Sequence, residues 1–84
     1  MKPIRLTKHA MEQCEERGTT EDEAREAVRR GTWQPAKRGR RMYRTNFQYN
    51  GKWQGRFYRI KQVAPVVQEE PNEIVVITVY TFYF

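Results

Sequence analysis

The sequence predicts an α+β domain: two N-terminal helices packed on one face of a three- or four-stranded antiparallel sheet, with residues 1–84 as a single domain. Three observations carry this expectation. Two capped stretches with helical apolar spacing open the chain. Two turn signals then divide its second half into alternating segments. The closing run "IVVITVYTFYF", 74–84, is β-branched and aromatic. A chain of 84 residues has room for one modest core and no second one.

The elements follow in chain order. The first helix is predicted over about 7–17: Thr7 supplies an N-cap, Ala10, Met11 and Cys14 form one stripe, and Gly18 stops the helix. The second is predicted over about 21–30, where Thr20 and Glu23 have capping-box spacing and Ala24, Ala27 and Val28 make the buried stripe. Arg29 and Arg30 there suit the negative helix end before Gly31. A loop containing Pro35 and Gly39 leads to strands over about 41–49, 52–69 and 73–84, joined by turns at Asn50-Gly51 and Pro71-Asn72. Ile4–Leu6 has the alternation for a further short strand. Setting Glu70 opposite Glu73 puts Ile60, Ala64 and Val66 on a core face with Val75, Ile77, Val79 and Tyr83. The other face then holds Arg59, Lys61, Thr78, Tyr80 and Phe82, joined by Met42 and Arg44. A bulge at Gly55 would flip that parity, and Pro65 has no N–H to give a central strand.

Charge narrows the choice of partner. The net charge of +6 conceals three blocks: −2 over residues 1–26, +11 over 27–68, which contains no acid, and −3 over 69–84. The basic block interleaves Trp33, Tyr43, Phe47, Tyr49, Trp53, Phe57 and Tyr58 with its cations, a pattern suited to neutralising phosphates and stacking bases. Its densest part is "AKRGRRMYR", 36–44, so Lys37, Arg38, Arg40, Arg41 and Arg44, with Lys61 from the mixed sheet face, are the candidate nucleic-acid contacts, and RNA or DNA is the first partner to consider. An acidic protein would fit the same field. The longest apolar run is too short to span a bilayer as a helix, and no signal-like segment opens the chain, so no membrane partner and a cytoplasmic location are expected.

His9, Gln13 and Arg17 lie four residues apart along the border of the first helix's apolar stripe. His9 and Arg17 could act there in catalysis or serve as spacers at the seam between core and solvent. The single Cys14 sits mid-stripe, where a buried apolar role suits it better than a nucleophilic one. One His and one Cys are too few for a zinc site, and no cofactor is implied.

"LTKHAMEQCEERGTTEDEAREAVRRG" followed by a β-rich tail ending in "VVITVY" resembles the DUF4258 family, small bacterial domains near BrnT and RelE-type toxins in the barnase/RelE-like ribonuclease group. The similarity covers nearly the whole chain. His9-Ala10, Glu16-Arg17-Gly18 and Val76-Ile77-Thr78-Val79-Tyr80 carry it, and Gln13 stands where the family commonly has Arg. The resemblance implies a RelE/barnase-like fold and a metal-independent endoribonuclease toxin neutralised by an acidic antitoxin segment. In that chemistry His9 would be base or acid, Arg17, Arg44 and Arg59 would hold the phosphate, and Thr78 or Tyr80 would position it or relay a proton. No carboxylate occurs between Glu26 and Glu69 to complete a Glu/His pair. A non-catalytic RNA- or DNA-binding module and a protein-interaction domain are the alternatives.

Overall fold

The computed structural model describes Met1–Phe84. Its order is β1 (Ile4–Leu6), α1 (Lys8–Glu16), α2 (Glu21–Arg30), β2 (Thr32–Pro35), a 3-10 turn (Lys37–Gly39), β3 (Arg41–Trp53), β4 (Arg56–Glu69) and β5 (Ile74–Tyr83). The strands form one sheet in the order β1-β5-β4-β3-β2. This corrects the expected layout. The sheet has five strands and is mixed, because β1 runs parallel to β5 in the register Ile4↔Ile74 to Leu6↔Val76. The added strand, β2, occupies a stretch where Pro35 predicts a loop. It is fully exposed at the sheet edge, where a proline's missing N–H costs no ladder bond.

Local chemistry explains both helices. Thr7 accepts from the Ala10 N–H to cap α1, and Thr20 and Glu23 form the reciprocal capping box of α2. At the end of α1, Gly18 takes φ +72° and the Thr19 N–H closes onto the Cys14 carbonyl at 2.8 Å. A Cβ on Gly18 would stand 2.5 Å from the Trp53 ring, so both the turn and the packing require glycine there. The core joins Ala10 and Cys14 of α1 and Ala24, Ala27 and Val28 of α2 to Tyr43, Val63, Val67, Val76 and Val79 of the sheet. Met11, read as part of the first stripe, is 39% exposed.

Two irregularities reset the strand faces. The turn between β3 and β4 is Gln54-Gly55, both with positive φ, and Trp53 pairs with Arg56 across it. Asn50-Gly51, expected as that turn, lies inside β3 at a register shift between Gln48 and Gly51. Glu70 does meet Glu73 at the next turn, with the Glu70 N–H on the Glu73 carbonyl at 2.9 Å. The β4–β5 register then slips: Val67 pairs with Val76 but Val66 with Thr78, leaving Ile77 unpaired in a bulge. Val76 and Val79 therefore both reach the core. Ile60, Ala64, Val66 and Ile77, expected there, fall by alternation on the opposite, open face, and Val75 lies between core neighbours Ile74 and Val76 with its side chain turned the same way. Lys61, expected on the open face, turns to the helices. Pro65 interrupts the β3–β4 ladder between Met42/Val66 and Thr45/Val63.

Candidate nucleic-acid interface

The open face is built by alternation along three strands: Met42 and Arg44 of β3, Gln62 and Val66 of β4, and Thr78, Tyr80 and Phe82 of β5. Arg44 donates to the Gln62 side-chain oxygen at 2.9 Å, and its guanidinium carbon lies 5.6 Å from the Phe82 ring centre. Gln62 in turn donates to Asn46 at 2.9 Å. Tyr80 and Phe82 are 40% and 39% exposed, their rings nearly parallel with centres 6.5 Å apart. Cations held beside exposed aromatic faces are what a single strand of nucleic acid engages.

At one end of this face, β2 and the 3-10 turn frame a cleft of about 560 Å³. Met42, Val66 and Ile77 give it an apolar floor, Lys37 and Arg40 stand at its rim, and Thr78 and Tyr80 form the wall on β5. The Ile77 bulge explains how two successive residues of one strand, Ile77 and Thr78, line the same cleft. Arg40 donates to Gln68 at 3.4 Å, whereas Lys37 is exposed and free of any ion pair.

The line of His9, Gln13 and Arg17 has a structural meaning. β1 pairs with β5 only as far as Val76, so beyond that point β5 has no strand on its outer side. Side chains of α1 take the place of that strand. The Gln13 oxygen accepts from the Val79 N–H at 2.8 Å and from the Thr78 hydroxyl, and Arg17 donates to the Val79 carbonyl at 2.5 Å. The Arg17 guanidinium carbon also lies 5.4 Å from the Tyr80 ring centre. His9, one turn earlier, is exposed and bonded to nothing.

The remaining candidates disperse. Arg59 is exposed near the hairpin tip, on the alternation of Lys61 rather than on the open face. Arg38 is exposed with φ +63°, and Arg41 stacks on Trp33 with its guanidinium carbon 4.2 Å from the ring centre, sharing the alternation of Tyr43. Lys61 is a correction. It is 5% exposed and donates to the Glu23 carboxylate at 2.7 Å and the Gly18 carbonyl at 2.9 Å, which withdraws it from any external ligand. Thus Thr78, Tyr80, Lys37 and Arg40 share the cleft, Arg17 stands behind Tyr80, and Arg44 adjoins Phe82. Sequence reasoning placed Met42 on this face but put Val66 and Ile77 on the core side, because the bulge that turns Ile77 outward carries no glycine or proline to announce it.

Two titrating groups support the core. Burial, with Tyr49 and Glu23 nearby, pushes the Tyr83 phenol up to about 12, so it stays neutral while donating to the Arg17 carbonyl at 2.7 Å. Burial also raises the Cys14 thiol, which keeps it protonated and unreactive. No group of His, Cys, Asp and Glu side chains is placed to hold a metal ion, and no helix is long and apolar enough to cross a membrane.

The electrostatics join these parts. Of the eleven cations in residues 27–68, only Lys61 has a carboxylate partner. The other ion pairs are Lys2–Glu69, Arg5–Glu73 and Arg25 with Glu21 and Asp22, all outside that block. Ten cations therefore have no carboxylate partner: Arg29 and Arg30 at the end of α2, and eight along the 3-10 turn, β3 and β4. Comparison of the chain with protein-family models, with curated proteins and with solved structures finds no match.

Proposed function

We propose that this protein binds single-stranded RNA across the open face of its sheet, with the phosphate chain held at the Lys37–Arg40 turn and by Arg44, and bases stacked on Tyr80 and Phe82. The observation that carries this reading is that Lys37, Arg40 and Arg44, none with a carboxylate partner, stand on the same face as the exposed rings of Tyr80 and Phe82. Binding is favoured over catalysis because two of the groups a ribonuclease would use, Thr78 and Arg17, are already engaged within the fold. Thr78 donates to Gln13 and Arg17 holds the Val79 carbonyl, while His9 is exposed on α1 without a hydrogen bond to either.

The test is the salt dependence of binding to a labelled RNA oligonucleotide, followed by fluorescence anisotropy. Each neutralised phosphate releases counterions, so changing Lys37, Arg38 and Arg40 together to Ala should lower the log–log salt slope by about 2. An unchanged slope would falsify the reading. The same samples, incubated in EDTA with a mixed RNA pool, decide the catalytic alternative: cleavage lost in His9→Ala with affinity retained would move the assignment to an endoribonuclease.

A further inference from the structure

We infer that the cleft between the 3-10 turn and β5 takes one unstacked base whose pairing edge carries an exocyclic amino group where uracil has its 4-carbonyl, adenine or cytosine in preference to uracil. The inference deepens the RNA-binding reading and rests on it. The argument begins with a hydrogen atom. The Val79 backbone N–H is only a donor, so the Gln13 side-chain atom 2.8 Å away must be its oxygen. That same oxygen contacts the Thr78 hydroxyl, which must therefore donate its only hydrogen to Gln13. What Thr78 has left for the cleft is lone pairs. It presents an acceptor and no donor, on a wall whose position is fixed from behind by α1.

The rest of the cleft suits a nucleotide. Its volume of about 560 Å³ lies within the usual range for small-molecule sites, about 300–1,000 Å³. The floor of Met42, Val66 and Ile77 is apolar, as a base's flat surface requires, and Tyr80 offers a ring at one side. Lys37 and Arg40 at the rim place positive charge where the phosphate of a base lying on that floor would emerge. An amino group on the base's pairing edge satisfies the Thr78 acceptor. A 4-carbonyl in its place meets lone pairs, and uracil brings its N3–H to the hydroxyl only by shifting out of that position.

Two-dimensional NMR of the isotopically labelled full chain, titrated separately with AMP, CMP, UMP and inorganic phosphate, tests this. AMP and CMP should shift the amide signals of Met42, Val66 and Thr78 and bind about three- to tenfold more tightly than UMP, the difference one hydrogen bond makes. Thr78→Val should bring the three nucleotides to parity, and Thr78→Ser, which keeps the hydroxyl, should retain the preference. Equal affinity for AMP and UMP in the parent, or shifts confined to Lys37–Arg40 and reproduced by inorganic phosphate, overturns the inference. So does a preference that survives in a folded Thr78→Val. RNA binding with the expected salt slope but no nucleotide shifts in the cleft removes this inference alone. Amino-selective nucleotide binding in a protein that binds no RNA removes the RNA reading and keeps the pocket.

Discussion

Lys61 illustrates how much one residue's partners decide. Its ammonium is buried, and the Glu23 carboxylate that neutralises it also accepts the Thr20 N–H of the capping box at 3.0 Å. One carboxylate oxygen thus ties the start of α2 to the middle of β4. Replacing Glu23 by Gln keeps a side-chain oxygen for the cap but leaves a buried cation unneutralised. Since Glu23 is itself a quarter exposed, the cost should be about 2 to 4 kcal/mol, below that of a fully buried pair. Lys61→Met in the Glu23→Gln background should recover much of that loss. Thermal melts of the parent, the single and the double variant measure both. The capping box was legible in the sequence, because Thr20 and Glu23 have the spacing that local hydrogen bonding needs. The ion pair was not, because it joins residues 38 apart and depends on which way β4 faces.

At the scale of elements, the bulge in β5 separates two neighbours that hydropathy cannot tell apart. Val76 is fully buried under the helices, whereas Ile77 is half-buried on the open face. Val76→Ala should cost about 2 to 3 kcal/mol and Ile77→Ala about 1, despite the larger side chain lost at Ile77. Urea denaturation of both variants checks the order, and a reversed order would place the bulge elsewhere. The same limit explains the displaced hairpin turn. Asn50-Gly51 and Gln54-Gly55 can both supply the left-handed residues a tight turn needs, and the dipeptide alone ranks Asn-Gly first. Contacts far along the chain decide instead. With the turn at Gln54-Gly55, Trp53 lies stacked over Tyr83, ring centres 5.1 Å apart, and closes the end of the core above Gly18. Helix boundaries rest on caps a few residues away and could be read. Strand faces rest on register, which one unannounced residue inverts. Of the candidate site, the cations of the 3-10 turn, Thr78, Tyr80 and Arg44 were legible, because dense local charge and the β5 alternation identify them.

The whole molecule is an elongated body, 41 × 24 × 23 Å, with a basic sheet end and hairpin set against acids concentrated in its helices and final turn. That division leaves α1, with Glu12, Glu15 and Glu16 exposed, unattractive to polyanions, so the helices face away from any bound strand. They have a further duty that solution behaviour would reveal. The "VVITVYTFYF" stretch has the composition of segments that recruit copies of themselves, and beyond its pairing with β1 its outer edge is covered at Val79 by the side chains of Gln13 in α1 and Arg17 at its end. By occupying the Val79 N–H and carbonyl, Gln13 and Arg17 should oppose templated strand growth at that edge. Gln13→Ala should shorten the lag before thioflavin-positive fibrils form under agitation, out of proportion to any fall in melting temperature. An unchanged lag would mean that β5 is protected some other way. A helix that reads as a lid over the core thus also covers part of the open edge of a strand-forming sequence.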